Sequence, residues 1–104
     1  MDIGAGTGSY AFVLGEYGYN VIAVEPSATM RNQAISHPAI EWIDGYAENL
    51  PLGDRAAEAA IIVLAFHHFQ DYRQALREAY RVVGNGQIII FTYDPAMISG
   101  FWFT

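Results

Sequence analysis

The chain has no cysteine and no lysine. The first absence excludes disulfides and thiolate metal sites, and leaves a reducing cytoplasm as the default compartment. The second leaves five arginines to face eleven acids, a formal charge of -6. No basic cluster can follow a phosphate backbone, so nucleic acid is a poor partner. Long apolar runs are also missing. The longest, residues 59–66, falls far short of the roughly 20 residues that cross a bilayer, and no membrane span is expected. The first residues have neither the basic region nor the apolar stretch of a signal peptide. What remains is 104 residues that are 53% hydrophobic, 14% aromatic and 15% charged, apolar enough for a packed core and the size of one domain or part of one.

Short aliphatic or β-branched runs alternate with helical stretches, the pattern of an α/β parallel sheet with helices on its faces. Strands are expected over residues 21–25, 40–43, 60–64 and 87–92. The last two are nearly continuous apolar runs, as strands buried on both faces should be. Helices are expected from Ser9 to Tyr17, from a Ser27 cap to about Gln33, and from Tyr72 to Val83. Asp71 suits the N-cap of the third and Gly84 its C-terminal end. On that helix Leu76, Ala79, Tyr80 and Val83 repeat as a core face, and Arg73, Arg77 and Arg81 read as a solvated one. Only Met1, Asp2 and Ile3 precede the first glycine, so a first strand is nearly absent. At the other end Phe101, Trp102 and Phe103 form an aromatic cluster of the kind that marks an interface, either of a homodimer or with a partner chain.

The chemistry begins at Asp2-Ile3-Gly4-Ala5-Gly6-Thr7-Gly8. A strand, a Gly-x-Gly-x-Gly turn and a helix let backbone approach a ligand closely, because glycine lacks Cβ and tolerates positive φ. The same residues also serve as a plain turn that packs helix on sheet. The dinucleotide fingerprint needs its third glycine one position later, where Ser9 stands, which disfavours a nicotinamide cofactor. Glu25, at the end of the next strand and followed by Pro26, can accept both hydrogen bonds of a ribose diol; the alternative is an ordinary acid at a strand end.

Taken in order, that glycine segment with Tyr10, then Glu25-Pro26-Ser27 with Met30, the stretches 45–52, 65–69 and 75–83 resemble successive motifs of the class I S-adenosylmethionine-dependent methyltransferases. They are most similar to the type 11 branch, which includes quinone-biosynthesis enzymes. The resemblance covers essentially the whole chain. It implies a Rossmann-like, mostly parallel sheet of order 3-2-1-4-5, lacking the last two family strands, so that residues 1–104 form a partial domain. It also implies S-adenosyl-L-methionine as cofactor. Asp2, Gly4, Ala5, Gly6 and Gly8 would hold its methionine end with Tyr10 beside them. Glu25, with Pro26 after it, would take the ribose hydroxyls, and Met30 would pack near the adenine. Tyr46 and Ala47 would meet the adenine edge, and Leu64 and Ala65 would lie toward the sulfonium.

The chain departs from the family at several places. Tyr46 stands where the family has Asp, leaving Asp44 or Glu48 as substitutes. Glu58, Ala59 and Ala60 replace an Asp-led strand start, and the turn at residues 84–86 is one residue short and lacks a proline. The family's N-terminal helical segment, which with the late loops chooses the substrate, has no counterpart. His67 and His68 are adjacent, so they cannot easily share one ion, and no further ligands are evident. They read as structural, and no metal is expected. The implied activity is methyl transfer to a small-molecule acceptor. The alternative is a catalytically silent, truncated methyltransferase-like fragment that binds or packs.

Overall fold

Two of the described helices start where a side chain accepts from their unpaired backbone N–H donors. A computed structural model describes residues 1–65 and 70–93, with backbone alone for Leu64, Ala65, Thr92 and Tyr93. His67, His68 and the aromatic cluster at 101–103 lie outside the described residues. Helix α1 (Ser9–Glu16) starts from Gly8 in the left-handed conformation and has no side-chain cap. Helix α2 (Ala28–Asn32) is capped by the Ser27 hydroxyl, which accepts from the Met30 N–H at 3.2 Å. Helix α3 (Tyr72–Val83) is capped by Asp71, whose Oδ1 accepts from the Gln74 N–H at 3.1 Å. Such caps are worth about 1 kcal/mol each.

Between the helices run β1 (Asp2–Ile3), β2 (Val21–Val24), β3 (Ile40–Ile43), β4 (Ala59–Ala65) and β5 (Gln87–Tyr93). They form one parallel sheet in the expected order β3-β2-β1-β4-β5. β1 is only two residues long, yet it is the central strand. Asp2 is in register with Ala23 on one side and Ile61 on the other, and Ile3 with Val24 and Ile62. The connections leave β1 toward β2 on one side and reach β4 on the other, so a crevice opens at the carboxyl ends of these strands.

In a parallel sheet, residues in register share a face. The row of Val24, Ile3 and Ile62 packs under α3, where Ala75, Ala79, Val82 and Val83 complete the main core. The next row places Trp42, Ala23, Asp2, Ile61 and Ile89 on the opposite face. There α1 contributes Ala11, which packs with Val21 and Ala23. Burying valines such as Val82 and Val83 contributes about 1.5–3 kcal/mol each.

Three expectations need correction. Tyr80 is 64% exposed and Leu76 only partly buried, while Ala75 and Val82 are core. The apolar stripe is therefore rotated from the expected one, because small Ala75 and β-branched Val82 fit closest to the sheet. Arg81 is not on a solvated face: its guanidinium bonds to the carbonyls of Leu50 and Leu52, because the loop after β3 folds back along α3. And β5 is not buried on both faces. It ends the described sheet, with Ile89, Ile90 and Phe91 at 46%, 42% and 55% exposure.

The tight point of the α3–β5 turn is Gly86. A Cβ there would overlap the backbone carbonyl oxygen of Glu58 and stand 2.7 Å from Val83 Cγ1. Backbone cannot step aside as a side chain can. Gly86→Ala is expected to lower unfolding free energy by about 1–3 kcal/mol, the range for overpacking. Urea denaturation measures it, and an unchanged midpoint would show that the turn has slack.

Candidate cofactor site

The crevice is built by three chain segments that leave β1, β2 and β3 side by side. After β1 the chain crosses the end of β2: the N–H groups of Gly4 and Ala5 both donate to the Val24 carbonyl, at 2.8 and 3.0 Å. The end of β2 is tied in turn to β3 by the Glu25 N–H, which donates to the Ile43 carbonyl at 3.1 Å. Glu25 is 8% exposed and its carboxylate spans the gap. Its Oε1 accepts from the Gly6 N–H at 2.8 Å and its Oε2 from the Ser27 N–H at 2.9 Å. Each oxygen keeps a further lone pair for another donor. The charge-assisted bonds hold the side chain in one orientation before any ligand arrives.

The glycines divide by what lies over them. At Gly6, with φ +62°, a Cβ would meet nothing within 4 Å, so the backbone faces open space. At Gly8, with φ +83°, a Cβ would stand 2.5 Å from the Trp42 ring, so this glycine makes room for packing inside the fold. Gly4 is exposed; Ala5 packs partly against the α1-side core, and Pro26 is partly buried. Tyr10 on α1 and Met30 on α2 are 54% and 40% exposed.

Beyond β3, Tyr46 is 65% exposed and Ala47 is buried in the main core. Asp44, one substitute for the missing family carboxylate, pairs with Arg31 at 3.4 Å. Glu48, the other, offers its carbonyl to Gln74 Nε2 at 3.1 Å. Leu64 and Ala65 occupy the last positions of β4, the neighbour of β1 at the crevice. Arg31 belongs to none of the motifs in the sequence. Besides Asp44 it reaches the Glu25 carbonyl at 2.6 Å, so it braces the turn after β2. Its position six residues after Glu25 is the only sequence signal. Among the described residues no cluster of histidine, aspartate or glutamate could hold a metal ion.

Asp2 is the electrostatic anomaly. It is 2% exposed, and its Oδ2 has no hydrogen-bond partner. Its neighbours across the sheet, Ala23 and Ile61, are apolar. Burial raises its pKa to about 6, the Met1 ammonium pulls it down, and the Glu25 charge pushes it up. A buried acid of this kind is a functional candidate because it does not help the fold.

The sign of its effect on stability follows. Between about pH 4 and 6 the unfolded chain has lost the Asp2 proton while the folded chain keeps it, so folding stability falls as pH rises through that window. Above pH 6 the penalty is constant at about 3 kcal/mol. Asp2→Asn is therefore expected to match the wild type near pH 4 and exceed its stability by about 1–3 kcal/mol at pH 7. Urea melts across this range check it; parallel pH curves for the two proteins would refute it.

The comparisons with known proteins agree with this architecture. Residues 1–91 match the family model described as a methyltransferase domain. The chain is 35% identical over 92 residues to a malonyl-[acyl-carrier protein] O-methyltransferase of Pectobacterium atrosepticum, which covers 88% of this chain and 36% of that protein. It is 34% identical over 88 residues to the ubiquinone/menaquinone biosynthesis C-methyltransferase UbiE of Rubrivivax gelatinosus, covering 83% and 35%. The chain thus spans little more than a third of these relatives. A crystal structure from Anabaena variabilis, described as a methyltransferase from an antibiotic biosynthesis pathway, superposes with a TM-score of 0.85 at 46% identity, over 92% of this chain and 39% of that one. With the sheet order, the glycine loop and the matched motifs in agreement, the chain belongs to the class I S-adenosylmethionine-dependent methyltransferase family.

Proposed function

We propose that this chain is the cofactor-binding part of an enzyme that moves a methyl group from S-adenosyl-L-methionine to a small-molecule acceptor. The observation that carries the proposal is the Glu25 carboxylate, buried, oriented by the N–H groups of Gly6 and Ser27, and placed beside the open backbone of Gly6. The cofactor supplies an activated methyl on its sulfonium, which an acceptor takes by direct displacement. The protein's part is binding and positioning.

In this reading Glu25 accepts the ribose hydroxyls through its remaining lone pairs. Asp2, with its unpaired buried oxygen, takes the ammonium of the methionine moiety. The start of α1, which lacks a side-chain cap, suits the carboxylate of the same moiety. Tyr46 and Ala47 border the base, and Leu64 and Ala65 the sulfonium end. The two curated relatives are named for different acceptor atoms, oxygen and carbon, so the acceptor is assigned no further than a small molecule.

A second reading, a silent binding or packing module, has one observation behind it: the exposed Ile89, Ile90 and Phe91 on β5. Calorimetric titration separates the two. S-adenosylhomocysteine is expected to bind at one site and NAD not at all; no binding of the homocysteine nucleoside would leave only the packing module. Gly6→Val is expected to abolish that binding while folding loses only about 1–2 kcal/mol, the cost of left-handed backbone. Equal loss of both would assign Gly6 to the fold.

Glu25 holds the loop as well as facing the site, so its simple removal does not isolate the ribose contact. The informative comparison is 5′-methylthioadenosine against its 2′-deoxy analogue. Wild type is expected to favour the ribose form by about 1.5–3 kcal/mol, the worth of a hydrogen bond to a charged group. In Glu25→Ala both should bind weakly and alike. A preference that survives the substitution removes Glu25 from the diol.

A further inference from the structure

The loop that leaves β3 is held from behind by one polar stripe of α3. Gln74, Glu78 and Arg81 recur at i, i+4 and i+7 and so share a helix face. Gln74 Nε2 donates to the Glu48 carbonyl at 3.1 Å. Glu78 Oε1 accepts from the Leu50 N–H at 2.8 Å. Arg81 donates to the carbonyls of Leu50 at 3.1 Å and Leu52 at 2.8 Å, and to Asp54 Oδ1 at 2.9 Å. It also grips Glu78 at 2.7 and 3.1 Å, and that hydrogen bond holds the Glu78 carboxyl below the usual carboxylate range. The helix does not need these contacts to stay on the sheet, because Ala75, Ala79, Val82 and Val83 already bury its apolar face.

What the stripe holds is the third wall of the crevice. Gly45 leaves no room for a Cβ, which would stand 2.7 Å from Pro51 Cδ and 3.2 Å from Cγ1 of Val24, the last residue of β2. Arg31 links Asp44 to the Glu25 carbonyl, and Tyr46 bridges to Asn49 at the head of the loop. The contacts from α3 fall almost wholly on backbone atoms of residues 48–52 and set where the loop stands, together with Ala47 and Leu50, whose side chains are buried in the main core; Tyr46 stays 65% exposed.

We infer that Gln74, Glu78 and Arg81 are positioning residues that fix the loop at residues 46–50 as the base-side wall of the nucleoside site. This rests on the reading of the site as one for an adenosyl cofactor. A fixed wall discriminates between bases, because a backbone group held in place that loses its partner stays unpaired. A loose one accepts either.

The test compares S-adenosylhomocysteine with S-inosylhomocysteine, which differ only at the base edge, on wild type, Arg81→Met, Arg81→Lys and Gln74→Ala, with thermal melting alongside. Arg81→Met keeps an apolar stem and removes every donor. Wild type is expected to prefer the adenine ligand at least about tenfold, and Arg81→Met to bring the ratio close to one. Arg81→Lys retains a point charge that cannot span Leu50, Leu52 and Asp54 together, so an intermediate ratio is expected. Gln74→Ala, which cuts the single bond to Glu48, should lower the ratio less, and it supplies the answer if Arg81→Met does not fold. Lower melting temperatures with an unchanged ratio would overturn the inference and leave the adenosyl reading intact. So would a wild type that binds both ligands equally. A wild type that binds neither overturns both.

Discussion

The site depends on the Glu25 carboxylate. Without it, the glycine loop and the end of β2 would meet only through the Val24 carbonyl, which accepts from Gly4 and Ala5. With it, Gly6 and Ser27 are drawn to one anionic group from opposite sides. Each bond to a charged acceptor is worth about 1.5–3 kcal/mol, and the burial of the carboxylate among backbone donors makes the geometry specific as well as stable. The same contacts leave Gly6 with open space above it and Ser27 free to cap α2 through its hydroxyl. One side chain therefore sets the loop, the next helix and the floor of the crevice together.

Much of this was legible in the sequence because it is local. The caps at Ser27 and Asp71 and the glycines at 8 and 84 mark helix ends by rules that involve four or five neighbouring residues. β2, β3 and the third helix fall where periodicity puts them. The sheet order followed from the family resemblance rather than from any pattern of hydrophobicity. Even β1, which offers only Asp2 and Ile3, takes its central place because its two neighbours supply register partners for both residues.

What was not legible depends on contacts distant in sequence. The apolar positions of α3 fit more than one rotation of the helix, and only the sheet selects Val82 over Tyr80. Arg81 lies on the same polar surface as Arg77, and the one local difference, Glu78 three residues before Arg81, does not by itself reveal the contacts to residues 50–54. The difference is that residues 50–54 return past the last turn of α3 with carbonyls that need donors. The apolar run of β5 reads as doubly buried, yet α3 reaches it while Ile89, Ile90 and Phe91 stay exposed.

The two buried acids also bear on what kind of ligand the crevice suits. Glu25 is compensated by backbone donors, whereas Asp2 keeps an unpaired oxygen among apolar neighbours. A ligand that brought a pyrophosphate to this loop would add negative charge beside two buried carboxylates on a chain already at -6. At an effective dielectric of about 20, unit charges 4 Å apart interact by about 4 kcal/mol. A ligand that brings an ammonium and a sulfonium reverses the sign: it favours the ionised form of Asp2 and offsets the cost of its burial on binding. The Asp2 charge, which burial disfavours and the Met1 ammonium offsets only in part, thus supports the proposed reading of a cationic nucleoside rather than a dinucleotide.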